Sequence, residues 1–238
     1  MAAPVLFLGL IRSCDPWLVT AQIALREALR DIVSPAARVY GFKGSGSNWR
    51  KSNDQGDWAI VNVQSSSFSS RDHLRCVINL SLAPRPWLDS YEHRLGRLPK
   101  AISENLGLYR SRLHPTGSPA GVDTWWDVTG PQDAKAAVAD MAARLEVDGW
   151  PFLTKLLDRE EMLRQIRAGD LGDIRGAKAY LARAEATMLS DNGPSNELER
   201  LLEVSIDESM ERQRENAREF VEWVRARAER RAAGTHTE

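Results

Sequence analysis

Residues 74–82 read LRCVINLSL, with Leu74, Cys76, Ile78, Leu80 and Leu82 alternating against Arg75, Val77, Asn79 and Ser81. Successive side chains of an extended chain point to opposite sides, so this spacing predicts a strand with one apolar and one largely polar face. Such a strand needs partners along its edges and a cover for its apolar side. Upstream lie three more β-like segments, Arg38 to Lys43, Ser47 to Lys51 and Trp58 to Ser65, the last paired naturally with His73 to Leu82. Gly44-Ser45-Gly46, Asn53-Asp54-Gln55-Gly56 and a serine-rich loop separate them by turn chemistry. Short connections make neighbours antiparallel, which predicts a meander of hairpins. In Trp58–Ser65 the spacing assigns Ala59, Val61 and Val63 to the buried face and Trp58, Ile60, Asn62 and Gln64 to the other. Tyr109 to Leu113 and Thr124 to Val128 are further candidate strands, for four to six in all.

Helical spacing supplies the cover. Asp15-Pro16 reads as an N-cap and N1 proline, and Leu18, Ala21, Leu25, Ala28, Leu29 and Ile32 recur until Ser34-Pro35, where the helix is expected to stop. Trp87 to Leu98 is a short helix or an ordered loop. Gly130-Pro131 opens a helix with Ala134, Ala137, Val138, Met141 and Leu145 on one face, and Pro151 to Ile166 forms another. "AGDLGDIRG" and "SDNGPSN" bracket a helix from about Ala177 to Leu189. A last long helix, Asn196 to Ala232, has a nearly all-charged middle from Asp207 to Glu219, where only Met210 and Ala217 offer apolar contact. That helix is expected to be half solvated and its end, "GTHTE", frayed. With 42% hydrophobic residues in 238, the chain can bury a full core. The expected fold is α+β: an antiparallel four- to six-stranded meander sheet with an N-terminal helix and a helical C-terminal extension. Residues 1–150 would form the sheet domain and 151–238 the extension.

Charge is uneven along the chain. Residues 38–112 carry 12 Lys and Arg against 6 Asp and Glu, and residues 113–238 carry 17 against 24. A basic sheet domain lying against acidic helices explains this by internal pairing, and a nucleic-acid or anionic-ligand surface on the basic part is the alternative. Cys14 and Cys76 form no CxxC pair and no disulfide framework, as expected in a reducing compartment. The N-terminal "PVLFLGLI" is too short to span a bilayer and lacks the basic residues that open a secretory signal, so a buried strand or a lead-in to the first helix is expected and a lipid anchor is not. A cytoplasmic protein without membrane attachment follows.

Several short blocks recur in a recognisable order. Gly41-Phe42-Lys43 follows the first helix, then come "SNWRK" (Ser47 to Lys51), "VNVQSSSF" (Val61 to Phe68) and "VINLSL" (Val77 to Leu82). In this order and spacing, over roughly residues 15–150, the chain resembles the bacterial domain of unknown function 4304 family. Ser81 departs from the pattern, standing where a residue such as glycine is expected. The resemblance implies the fold and brings no activity or catalytic residue to carry over.

The chemistry-bearing residues are dispersed. His73, His93, His114 and His236 show no HExxH, HxH or Cys/His spacing, so neither a metal nor another cofactor is expected. Cys76 falls on the apolar face of its strand as a small core residue, and Cys14 lacks a sequence partner. "GFKGSGSNWRK" lacks the P-loop pattern, and its flanking strands make it a hairpin turn. Glu160-Glu161 and Asp207-Glu208 fall on solvated helix faces. What does concentrate is polarity on one sheet face: Arg50 or Lys51, Gln64, Arg75 and Asn79 are expected to converge beside Trp49 or Trp58. Cations and amides beside an aromatic suit recognition of a peptide, an anionic group or a nucleobase, although such residues also occupy ordinary exposed sheet faces. Trp125-Trp126 must point to opposite sides, one into the core. The preferred reading is a non-catalytic binding or adaptor protein of the bacterial cytoplasm with a protein partner. Toxin neutralisation or defence is one concrete form, by analogy with other small bacterial domains. The alternative is a nucleic-acid-binding protein or nucleic-acid-acting enzyme using Arg50, Lys51 and Arg75, and a third reading assigns the last helix to oligomerisation.

Overall fold

A computed structural model describes residues 20–70 and 72–234. The N-terminal apolar run, Cys14, the Asp15-Pro16 cap and the tail holding His236 lie outside the described residues.

The fold is α+β, built on one antiparallel sheet. Its strands are β1 (Lys43–Ser45), β2 (Asn48–Ser52), β3 (Trp58–Ser65), β4 (Leu74–Ala83), β5 (Tyr109–Leu113) and β6 (Trp126–Val128). They run in the order β1-β2-β3-β4-β5, and β6 pairs with the beginning of β4 on the edge that β5 uses further along. Pairing sets Ala59 opposite Leu82, Val61 opposite Leu80 and Val63 opposite Ile78, so the apolar positions of both central strands share one face. That face joins Phe42, Trp49, Leu74, Cys76 and Trp126 in the main core, and helices cover it. The alternation in β3 and β4 therefore places the core as expected.

The helical cover is more continuous than its prolines suggest. Helix α1 (Ala21–Ala28), capped by Thr20 Oγ1 accepting from Ile23 N–H, runs through a π-turn (Leu29–Val33) into α2 (Ser34–Val39). Ser34-Pro35 does not stop the helix. In the π-turn Ser34 N–H donates to Leu29 O, five residues back, which widens the helix so that Pro35 opens a new helical segment, where no N–H is required of it. The expected strand from Arg38 is accordingly helix to Val39, and extended backbone begins at Lys43. The same device recurs after α4 (Pro131–Arg144): a π-turn (Leu145–Gly149), with Trp150 N–H bonded to Leu145 O, admits Pro151 into α5 (Trp150–Leu156).

The expected helix to Ile166 breaks at Leu157-Asp158, and Asp158 Oδ1 caps α6 (Arg159–Arg167) by accepting from Glu160 and Glu161 N–H. Helix α7 (Lys178–Leu189) follows as expected. The long last helix is two helices, α8 (Asn196–Asp207) and α9 (Arg214–Gly234), parted within the charged stretch. Met210 is 53% exposed there, so nothing apolar holds a straight rod. The bend lets Val221, Val224 and Ala228 of α9 pack onto Leu198, Leu201 and Leu202 of α8, a second core shared with α7. The main core itself runs past residue 150, taking in Leu153, Leu156, Met162 and Ile166. Among the described residues, no helix is long and apolar enough to cross a membrane.

Among the described residues, helix and turn cover of the other sheet face lies over one end, while toward the other end Val77 is buried and the side chains around it are polar. Helix α3 (Arg85–Leu95) and the chain up to a 3₁₀ turn (Glu104–Leu106) lay Leu88, Ile102 and Leu106 on Trp58, Ile60 and Ala83. There Ser81 is fully buried, its hydroxyl donating to Glu104 O at 3.0 Å. A Cβ on Gly107 would lie 1.9 Å from Ser81 Oγ, so the serine's hydroxyl occupies room that glycine leaves.

Candidate functional site

The uncovered end of that face carries a row of polar side chains, one from each of four strands. The register sets Asn48 of β2 opposite Asn62 of β3, Asn62 opposite Asn79 of β4, and Asn79 opposite Arg112 of β5. Hydrogen bonds run along the row. Asn62 Nδ2 donates to Asn48 Oδ1 (3.0 Å), and Asn79 Nδ2 donates to both Asn62 Oδ1 (3.1 Å) and Gln64 Oε1 (2.8 Å). Arg112 Nε donates to Asn79 Oδ1 at 3.2 Å and its guanidinium pairs with both Asp123 oxygens at 3.1 Å. Each link polarises the next, and a shift of one residue in any strand would dismantle the row. Trp125 closes the end: its indole N–H donates to Asp123 Oδ2 (3.1 Å), and the Arg112 guanidinium lies 5.5 Å from its ring centre. Trp126 points the other way into the core, as the alternation requires.

The row leads into a cleft of about 530 Å³ over the β5 edge. Gln64 and Asn79 lie at one side, Arg110, Arg112 and His114 run through it, and Glu104, Asp123, Asp173 and Arg175 stand around it. Arg112 and Asp123 neutralise one another. Among the described residues, Arg110 and Arg175 have no carboxylate partner, and Glu104 and Asp173 have no cation partner within ion-pair distance. This lining offers amides, cations, carboxylates and one aromatic, which suits a polar ligand of mixed charge.

The residues expected to converge are only partly brought together. Gln64 and Asn79 are bonded neighbours at the open end. Arg75 shares their face, two residues along β4 from Val77, which opposes Gln64, and four from Asn79, and it pairs with Asp127 at 3.7 Å. Arg50 is on the same face but at the covered end, its Nε donating to Ile102 O at 2.6 Å. Trp49 and Lys51 do not join the patch. Trp49 is 0% exposed in the main core with its indole N–H on Ser34 Oγ at 3.2 Å. Lys51 shares that parity, reaching Thr154 Oγ1 of α5 at 3.4 Å. The reason is strand alternation: residues 49 and 51 oppose Val61 and Ala59, both on the core face. Asn48, Arg112 and Asp123 belong to the site and were not singled out by sequence, whereas spacing places Asn62 on the non-core face and sets Trp125 and Trp126 on opposite sides. The alternation of Arg110 and Arg112 in "YRSRL" is a signal that could have found Arg112.

Other chemistries are accounted for locally. Burial pushes the Cys76 thiol up to about 12, and its S–H faces Trp126 O. His73 bonds Asp127 (2.8 Å), His114 bonds Thr124 O (2.8 Å) and His93 stacks on Trp223. Among the described residues, no His, Cys, Asp and Glu side chains gather as a metal-binding group. Of the basic residues in 38–112, Arg85 pairs with Asp89 and Glu92, and Arg112 with Asp123.

No curated protein and no solved structure matches the chain. Residues 33–155 match the domain of unknown function DUF4304, a span that begins in the π-turn and ends within α5. That span covers the whole sheet, including the four strands of the polar row, and the chain belongs to the DUF4304 family.

Proposed function

We propose that this is a binding protein of adaptor type, working in the bacterial cytoplasm, which holds a partner protein on the open end of its polar sheet face. The observation that supports this is the hydrogen-bonded row from Asn48 to Arg112, which among the described residues no helix covers, while the end of the same face around Ile60 lies under α3. Side chains already held by their neighbours lose little freedom on binding, so such a row is suited to recognition. A two-cysteine sequence without a disulfide framework supports a reducing setting. The nucleic-acid reading draws less support, because Arg50, Lys51 and Arg75 lie at separate places and each already has a partner.

Site-specific photocrosslinking tests the proposal. A benzophenone amino acid at Gln64 should capture a discrete protein in cells of the source organism, while the same group at Glu229 on α9 should not. Replacing Asn79 and Arg112 together by alanine should remove the product. No product at Gln64 beyond the Glu229 control, or a nuclease-sensitive one, would sink the reading.

A further inference from the structure

We infer that the cleft accepts an extended peptide of mixed charge, which adds as a strand to the outer edge of β5 beside Arg112. The inference rests on the binding reading above and names the form of the ligand. It starts from the main chain. Arg110 N–H donates outward to Leu171 O at 3.3 Å, and Asp173 N–H donates to Arg110 O at 2.6 Å, so the segment around Gly172 pairs parallel with the β5 edge. Gly172 has φ +73°, and a Cβ there would lie 2.2 Å from Arg110 O, so only glycine lets the two backbones meet so closely. In a strand the main-chain groups of residues i and i+2 face the same edge. Arg112 therefore also turns its N–H and C=O away from β4 and toward the cleft it lines.

A continued parallel ladder would bond Arg112 N–H to Asp173 O and Arg112 O to Arg175 N–H. The chain instead turns away after Asp173: Ile174 bridges back to Leu171, and Gly176 N–H bonds Ile174 O. Among the described residues, the Arg112 main chain is left without a partner at the mouth of the cleft. An open strand edge beside a pocket is the arrangement by which extended peptides are held, the backbone supplying affinity and alternate side chains specificity.

The lining sets the side-chain chemistry. Arg110 and Arg175 lack carboxylate partners and can take an acidic side chain of the peptide. Glu104 and Asp173, equally without cations, disfavour a uniformly anionic strand and accept a Lys or Arg. A polyphosphate backbone meets those carboxylates along its whole length, so the mixed charge favours peptide over nucleic acid.

Panning the full chain against a phage-displayed library of random octapeptides tests this. The selected peptides should carry both Asp or Glu and Lys or Arg, and one of them is then made synthetically for fluorescence anisotropy. N-methylation of its central amides should weaken binding about tenfold or more, since it removes main-chain hydrogen bonds while leaving charge intact. The double replacement Arg110→Ala with Arg175→Ala should weaken it comparably at an unchanged melting temperature. Equal affinity of the N-methylated peptide would overturn strand addition and leave the binding reading standing. A library that yields no binder, or binding of a single-stranded oligonucleotide in preference to the selected peptide, overturns the inference as well. Loss of the Gln64 photocrosslink speaks instead against the binding reading itself.

Discussion

Gly107 and Ser81 show how close contacts decide a packing choice: a Cβ on residue 107 would meet Ser81 Oγ at 1.9 Å and Tyr109 O at 2.7 Å. The serine hydroxyl bonds Glu104 O in the space that a Cβ on residue 107 would need. Gly107→Ala should destabilise the protein by about 2 kcal/mol through overpacking. Ser81→Ala should cost about 1 kcal/mol for the lost hydrogen bond, and the double variant should cost less than the two together because the hydroxyl is no longer in the way. Urea unfolding of the four proteins measures the coupling, and strict additivity would show that the two residues do not compete for space. Cys76 gives a second test. Burial pushes its thiol pKa up to about 12, so the thiolate is scarcely populated at pH 8. In a Cys14→Ser background the folded protein should resist iodoacetamide at that pH, and mass spectrometry should find Cys76 alkylated only after denaturation.

At the scale of elements, the two π-turns carry helices through Pro35 and Pro151, and the first also anchors the sheet. Ser34 Oγ accepts the Trp49 indole N–H and donates to Leu29 O, so a helix hydroxyl satisfies a fully buried strand side chain. Ser34→Ala should cost about 1–3 kcal/mol, because the indole N–H is left buried without a partner. In a Trp49→Phe background, where the N–H is gone, the same replacement should cost much less. Chemical denaturation of the four combinations decides this, and equal costs in the two backgrounds would show that the bond contributes nothing.

Across the whole molecule, one charge network ties the C-terminal helices to the sheet. Arg159 pairs with Asp57 (3.0 Å) and Asp191 (2.7 Å), and Arg227 with Asp89 (2.5 Å) and Asp191 (2.7 Å). These residues come from the β2–β3 turn, α3, α6, the turn after α7 and α9. Arg227 is buried, so Arg227→Ala should cost about 3 kcal/mol and leave Asp89 and Asp191 short of a partner. Hydrogen exchange should then show α9 opening first, and a uniform loss of protection would contradict a docking role. Burial works against ionised Asp57, but Arg159, the Arg85 N–H and Asn53 outweigh it and hold its pKa below the ordinary 3.8. A depressed folded pKa contributes stability above the unfolded value and loses it as pH falls through the folded one. The wild type should therefore lose this contribution only below about pH 4, and Asp57→Asn should be less stable at neutrality with a shallower acid limb. Melting temperatures across pH for both proteins check the sign.

Alternation in β3 and β4 was enough to place the core face and the non-core face, because period-two spacing acts locally, and the short connections gave the antiparallel order. Helix existence was legible from apolar spacing for the same reason. Sequence spacing also put Gln64 and Asn79 on the non-core face. It did not place Trp49 and Lys51, whose side is fixed by the register of β2 on β3, nor Arg112 and Asp123, which reach the row only by pairing across the sheet. The passage of the helix through Pro35 depends on a wider turn stabilised by tertiary packing, which overrides local propensity. Sequence by itself determined which residues could be buried and with what period. Only the tertiary structure decided which end of the polar face the described residues cover, because α3 and the turn before β5 fold back over β3 and β4 through packing that local spacing does not encode.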